Sequence, residues 1–350
     1  MECIVATVAH VRAAANSMRA SLIAAFFIPV DATIRQQISL KTSQEYVKAP
    51  PFLLMLIRDL LASRQPSISF EFFPPKSDEA AAQLERTIGE LHELHPTFVS
   101  VTWGAGGSTR DKTIDIVSRI KRDTGIEAMA HLTCVGSSRD DLAEILDRLT
   151  HAGVSNVLAL RGDPPKGQAR FTTTDGGFCY ANALVEFIRS RKNSAICLGG
   201  AAYPEKHVEC VDSATDLENL KRKVEAGIDF LITQLFFDNH HYWDFIARAR
   251  AAGITVPIIP GIMPVTSITQ VDRFSSSFGT ALPIALAEEL DRVRANPEAV
   301  MQVGLAHATS QCVDLLSHGA PGIHFYTLNK STATKAIFSA IRIQGLAGDR

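Results

Sequence analysis

Residues 67–75 read Ser67-Ile68-Ser69-Phe70-Glu71-Phe72-Phe73-Pro74-Pro75. An apolar run carries a single acid and stops at a proline pair. A run of this length bounded by turn residues predicts a strand buried on both faces. A carboxylate inside such a strand is costly to bury without a partner or a task. Outward from this stretch the pattern recurs. Strands are predicted at 67–73, 97–103, 127–133, 155–161, 194–202, 229–235, 256–261 and 321–326. Helical patterns lie between them, near 78–94, 111–124, 139–152, 181–191, 214–227, 240–252 and 267–277, then in pieces over 284–317, then at 331–343. In the fifth of these, Ser213 with Asp216 reads as a helix start, Leu217, Leu220 and Val224 form one apolar stripe, and Gly227 marks the stop. Eight strands alternating with helices predict a (β/α)8 TIM barrel of the α/β class. The rival, a doubly wound sheet, would carry a glycine fingerprint after its first strand. Phe72-Phe73-Pro74-Pro75-Lys76-Ser77 stands there instead.

The 350 residues are 46% hydrophobic and 21% charged, proportions that suit a globular protein with a full core. A net charge of −2 offers neither a basic stripe for nucleic acid nor a polybasic membrane anchor. The six cysteines include no C-x-x-C pair, so neither a zinc site nor a disulfide frame is expected, and a reducing, cytoplasmic setting fits. His92-x-x-His95 and His240-His241 lack the H-E-x-x-H pattern and read as surface residues; no metal is expected. Residues 1–50 carry only Glu2, Asp31 and Glu45 as acids, and their apolar run Ser21–Val30 is too short to span a bilayer. Residues 1–55 therefore read as an N-terminal extension, either without function, with Met55 an internal start, or transit-peptide-like and organelle-directed. The catalytic barrel is expected over 56–350.

Polar residues gather at the predicted strand ends, where a parallel β/α barrel keeps its active site. If Phe70, Phe72 and Phe73 make the surroundings of Glu71 apolar, they favour its protonated form near neutral pH, suiting a general acid; a strand-end ion pair is the plainer reading. Arg161-Gly162-Asp163 ends the fourth strand. Gly162 permits close backbone approach by a ligand, Arg161 can meet an anion, and Asp163 can accept from ring N–H groups. A turn with a surface ion pair explains the same residues. His131 ends the third strand, where an imidazole is either a satisfied core group or a site residue. Thr102, Trp103 and Ala105 open a glycine-rich turn that suits a flat ring, a phosphate or a plain helix entry. Tyr203 and Gln234 end the fifth and sixth strands, and Gln234 can read an amide-like edge. Arg222 and Lys223, with Asn219 a turn earlier, read from spacing alone as a solvated helix face. The connection Asp163–Tyr180 is long for a barrel loop and is expected to be functional.

Taken together, these segments resemble the methylenetetrahydrofolate reductases. The resemblance rests on Ser69–Pro75, Val101–Ala105, His131–Cys134, Leu160–Asp163, Ala202–Glu205, Leu220–Lys223, Ile232–Gln234, Pro260–Val265 and His324–Asn329. They stand in order over 65–345. It implies a barrel holding FAD, with NADH or NADPH and a folate using one site in turn. A hydride would pass through the flavin to 5,10-methylenetetrahydrofolate, giving 5-methyltetrahydrofolate for methionine synthesis; the cofactor carries the hydride and the protein orients it. By this resemblance Glu71 matches the general acid and Asp163 the carboxylate between flavin and pterin. Thr102, Trp103, Ala105, His131, Arg161, Gly162, Asp163, Tyr180, Ala181, Tyr203, His207, Asp216, Asn219, Arg222 and Lys223 match flavin contacts. Asp163, Gln234, Gln270, Phe274 and Lys330 match folate or nicotinamide contacts.

The chain departs from the pattern at two positions. Trp103 stands where the bacterial members carry Tyr, keeping a ring and losing a hydroxyl. Lys330 stands where Arg is frequent, keeping a charge without the bidentate fork. Because the chain ends soon after Lys330, the regulatory domain of the animal and yeast forms and inhibition by S-adenosylmethionine are not expected. A homodimer or homotetramer is expected from the family. The rivals are a flavin-free pterin methyltransferase barrel and a non-catalytic flavin- or folate-binding barrel.

Overall fold

The computed structural model describes residues 55–63, 66–103, 110–164, 167, 171–191 and 195–347. The chain divides into two units, Met1–Phe52 and Leu53–Arg350, and all that follows concerns the second. The expectations for residues 1–50 and for Ala105 fall outside the described residues.

The predicted barrel is found. After a short helix α1 (Ile57–Ser63), β1 (Ser67–Phe72), α2 (Asp78–His92), β2 (Phe98–Val101), α3 (Arg110–Thr124), β3 (Ala128–Thr133), α4 (Arg139–His151), β4 (Asn156–Leu160), α5 (Ala181–Ser190), β5 (Cys197–Ala202), α6 (Ser213–Glu225), β6 (Phe230–Thr233) and α7 (Asn239–Ala251) alternate. Two short strands follow, β7 (Ile258–Ile259) and β8 (Gly261–Ile262), then α8 (Ile268–Phe278), α9 (Ile284–Arg292), α10 (Pro297–Ser317), β9 (Gly322–Tyr326) and α11 (Thr332–Ile343). All pairings are parallel, in the order β7-β6-β5-β4-β3-β2-β1-β9-β8. β7 and β8 are one physical strand broken at Pro260, which has no N–H for a ladder. Its first half pairs with β6 and its second with β9, so the eighth step closes the ring. The Pro260 carbonyl still accepts from the His324 N–H at 2.9 Å.

Alternation along β1 sorts its side chains. Ile68, Phe70 and Phe72 face the helices and join Leu84, Ile88 and Leu91 of α2 in the outer core. Ser69 and Glu71 face the interior. This corrects the expected setting of Glu71: Phe70 and Phe72 lie on the opposite face of the strand, and Phe73 is 37% exposed. A period of two puts neighbours in sequence on opposite sides of a sheet, so the flanking phenylalanines cannot enclose the acid.

The N-terminal mouth of the barrel is plugged by α1, which the strand pattern did not anticipate. Leu56, Ile57 and Leu61 pack on Phe98, Met129, Leu158, Phe230 and Ile259. Asn156 fastens the plug: its Oδ1 accepts from the Ile57 N–H at 2.8 Å, and its Nδ2 donates to Met55 O at 3.2 Å and Glu127 Oε1 at 2.8 Å. Glu127 also meets Lys121 Nζ at 2.8 Å, both side chains buried. Burial pushes the Glu127 carboxyl up despite that lysine.

The start of α6 is corrected as well. Its cap is Asp212, not Ser213, with the Asp212 carboxylate accepting from the Thr215 N–H at 2.7 Å. Asp216 closes no capping box; its Oδ2 accepts from the His207 N–H at 3.2 Å, which ties the helix to the loop after β5.

Candidate active site

At the C-terminal end of the barrel interior, one acid meets two imidazoles. Glu71, 6% exposed, lies in register with Ser100 on β2 and Tyr326 on β9. Its Oε2 is 3.4 Å from His131 Nε2 on β3 and 3.7 Å from His324 Nε2 on β9. Burial pushes the His131 imidazole down to about 4, with Glu71 pulling the other way. His131 is therefore neutral at pH 7, and its contact with Glu71 is not an ion pair. Neither Nε2 has a hydrogen-bond partner, and buried Ser100 Oγ, Thr133 Oγ1 and Trp103 Nε1 also lack one. Buried polar atoms are paired in most proteins; two unpartnered imidazole nitrogens beside one buried acid mark a place built for a ligand.

Backbone contacts hold the acid in place. The Thr327 hydroxyl donates to Glu71 O at 2.6 Å. The Asn329 side chain accepts from the Phe73 N–H at 2.8 Å and donates to Phe73 O at 2.9 Å, extending the ladder beyond the end of β1. Below the site, Tyr326 reaches across to donate to Thr233 O at 2.6 Å. Gly261 makes room for that ring, since a Cβ there would lie 2.6 Å from Tyr326 Cε2 and 2.3 Å from Thr233 O. Burial, then Glu71, pushes the Tyr326 phenol well up.

The other predicted residues fall into three groups. At the ends of β2 and β4, Thr102 donates its N–H to Phe72 O at 2.9 Å. Gly162 has φ 87°, and a Cβ on it would lie 2.7 Å from Val135 Cγ1, so only glycine fits. Arg161 is forked by Glu209 at 2.5 and 2.9 Å and stacks over Phe171 at 5.2 Å. Asp163 is exposed, and its charge helps burial push the Tyr203 phenol up. Tyr180 is 65% exposed and stands at the N-cap of α5, whose first residue is Ala181.

Around α6, the Tyr203 ring meets His207 edge-on at 4.7 Å. Burial, then Arg161, pushes the His207 imidazole down, and burial pushes Asp216 up. Exposed Arg222 donates to Asn219 Oδ1 at 2.7 Å. Lys223 instead turns inward and donates to Ala201 O at the end of β5. Burial pushes its ammonium down to about 8, with Asp216 opposing. The two cations expected to share a solvated face thus part, one outward and one against the barrel.

The third group gathers near β6 and β8. Gln234 is half-buried, with Oε1 accepting from the Leu235 N–H at 2.9 Å. Gln270 closes its own turn, accepting from the Thr266 N–H at 2.9 Å and hydroxyl at 2.6 Å and donating to Pro264 O at 3.2 Å. Phe274 stacks on Phe278 at 5.7 Å. Both join an apolar cluster with Leu235, Met263, Val265 and Leu328. Lys330 is exposed. Three interior residues at the heart of the site, Ser69, His324 and Tyr326, were not singled out from the sequence as site residues. The alternation in His324-Phe325-Tyr326 opposite Ser69-Phe70-Glu71 was the available signal, because polar residues at spacing two share a face.

The fold and this interior define a (β/α)8 barrel with a polar centre at the C-terminal strand ends. The comparisons narrow that class. The family model for methylenetetrahydrofolate reductase matches residues 56–342, and the chain belongs to that family. It is 39% identical over 282 residues to methylenetetrahydrofolate reductase (NADH) 1 of Arabidopsis thaliana, covering 78% of this chain and 48% of that protein. It is 38% identical over 280 residues to the 5,10-methylenetetrahydrofolate reductase of Escherichia coli, covering 80% of this chain and 92% of that protein. The chain thus spans about half the length of the plant relatives it matches. Among solved structures, a Clostridium thermocellum protein described as binding two copies of 5-methyl-5,6,7,8-tetrahydrofolic acid shares the fold. Its TM-score is 0.59 at 16% identity, covering 83% of this chain and 99% of that one. Among the described residues no helix is long and apolar enough to cross a membrane.

Proposed function

We propose that this chain reduces 5,10-methylenetetrahydrofolate to 5-methyltetrahydrofolate with NADH or NADPH, by way of FAD bound over the strand ends. The observation that carries the reading is Glu71, a buried acid set between two imidazoles whose facing nitrogens have no partner. Family membership supplies the reaction. The residues present fit the cofactor. Gly162 leaves no side chain between its backbone and a ring. Trp103 Nε1 is an unspent buried donor. Arg161, Arg222 and Lys223 supply cations of the kind a pyrophosphate needs. FAD, when bound, supplies hydride acceptance from the nicotinamide and hydride delivery to the folate.

The remaining work belongs to this chain's residues. Glu71 gives a proton to the substrate's ring nitrogen and opens the five-membered ring to a reactive iminium cation. Asp163 sets a negative charge beside that cation. Gln234 orients the pterin edge with its amide. Phe274 packs against the folate tail or the nicotinamide, and Lys330 draws the tail carboxylate with a single charge. Neutral His131 keeps positive charge away from the proton donor.

Anaerobic stopped-flow absorbance tests this. NADH or NADPH bleaches the flavin, and 5,10-methylenetetrahydrofolate restores its colour. Glu71→Gln slows the second step by about 10²–10⁴-fold and leaves the first nearly unchanged. Equal loss in both steps removes Glu71 from the acid role. A protein that binds no FAD removes the whole reading.

A further inference from the structure

Glu205 takes no part in the function proposed above, yet it joins two segments that do. It stands in the turn after β5, closed by the Lys206 N–H donating to Tyr203 O at 3.2 Å. Lys206 has φ 87°, a left-handed conformation that residues other than glycine seldom hold without support. Its own side chain supplies the support, Nζ donating to His207 O at 3.3 Å and to Cys210 O at 2.7 Å. The turn so fixed brings Glu205 to the connection between α8 and α9, where Oε1 accepts from the Ala281 N–H at 2.9 Å. Beside this bond, Val208 Cγ1 lies 3.0 Å from the place a Cβ on Gly279 would take. The charged groups facing the carboxylate come from the start of α7: His241 Nε2 at 3.5 Å, and Asp238, the α7 cap. The Glu205 side chain is 13% exposed, and its Oε2 is buried with no partner. An unpartnered buried carboxylate oxygen costs stability, so stability alone does not account for an acid here.

The helix on the far side of this bond is lightly held. Val271 is buried, and the other residues of α8 are half-buried or exposed. Elements with little buried apolar area open readily. Near its start, Gln270 fastens α8 to Thr266 and Pro264. Past its end, the Thr280 hydroxyl donates to Leu235 O at 3.4 Å, and the Glu205–Ala281 bond is the shorter of the two ties. We propose that Glu205 is a positioning residue that fastens the end of α8 to the turn after β5, and so fixes the spacing of Gln270 and Phe274 from Tyr203 and His207. Its consequence rests on the function proposed above, in which the folate and the nicotinamide meet α8 and the flavin meets the turn. Glu205 touches no reacting atom and transfers no proton. Its loss loosens the binding of both substrates and leaves the chemical step, which belongs to Glu71, in place.

Hydrogen exchange of the full chain, read by mass spectrometry, tests the fastening without any activity. In Glu205→Ala, peptides covering 268–282 are expected to exchange about tenfold faster than in the wild type, with peptides of β3 and β4 unchanged. Glu205→Gln keeps an oxygen for the Ala281 N–H and is expected to stay near the wild type. An unmoved 268–282 in Glu205→Ala overturns the proposal, and so does equal acceleration across the whole barrel. In steady-state kinetics, Glu205→Ala raises KM for folate and nicotinamide about tenfold at constant kcat, and Glu205→Gln restores it. An unchanged KM, or a fall in kcat alone, overturns the positioning role. If Glu205→Ala does not fold, Glu205→Asp, which keeps the charge and withdraws the oxygen by one methylene, takes its place with the same expectation and the same refutation. If the wild type reduces no folate, the proposed reaction fails, while exchange over 268–282 still decides the fastening.

Discussion

A single interior face gathers the residues that matter. Glu71, His131, His324, Tyr326 and Ser69 come from three strands, and alternation alone turns all five inward. The buried imidazole of His131 has a measurable consequence. Its folded value is near 4 against an ordinary 6.5, so between these values the unfolded chain binds a proton that the folded chain refuses. Stability is full above pH 6.5 and falls as pH drops through that window, by about 3 kcal/mol at its lower end. Denaturant titrations from pH 7 to pH 4 are expected to show this slope, and His131→Gln to lose most of it. A variant as acid-sensitive as the wild type would assign the slope to other groups. His131 was readable as a strand-end residue. Its neutrality was not, because that depends on burial among residues distant in sequence.

Among the elements, α1 does the most that the strand pattern left unsaid. Leu56 just before it, with its own Ile57 and Leu61, closes the mouth opposite the site, and Asn156 joins its backbone to Glu127 and Lys121. Asn156→Ala strands the Ile57 N–H and leaves the Glu127 carboxylate with one donor fewer. The expected loss is about 3 kcal/mol, read as a lower urea midpoint with an unchanged slope. A loss below about 1 kcal/mol would mean that apolar packing alone seats the helix. Strand positions were legible because β/α repeats write themselves as apolar runs between turns. The break at Pro260 was visible as a proline, but its effect, one strand pairing with β6 by one half and β9 by the other, exists only when the ring closes. The cap of α6 at Asp212 is local and was legible, but the part played by Asp216 was not. Asp216 is drawn to the His207 N–H, a contact between a helix and a loop that no local pattern encodes.

For the molecule as a whole, the family match over residues 56–342 covers the barrel alone. If the proposed function holds, a chain beginning at Met55 is expected to fold and to bind FAD. FAD at a hundredfold excess over its Kd should stabilise either form by ~2.7 kcal/mol, visible as a rise in Tm. A shortened chain that aggregates, or that shows no rise while the full chain does, would give residues 1–54 a part in the fold or the site. The sequence by itself determined the barrel, the order of its strands and the strand-end positions of Glu71, Arg161, Asp163, Tyr203 and Gln234. Those follow from period and turn chemistry, which are local. Only the tertiary structure decided what surrounds the acid. It brought His324 and Tyr326 to the acid, turned Lys223 onto the Ala201 carbonyl of β5, and seated α1 in the barrel mouth. Each of these joins residues far apart in the chain. Only closure of the sheet specifies such neighbours.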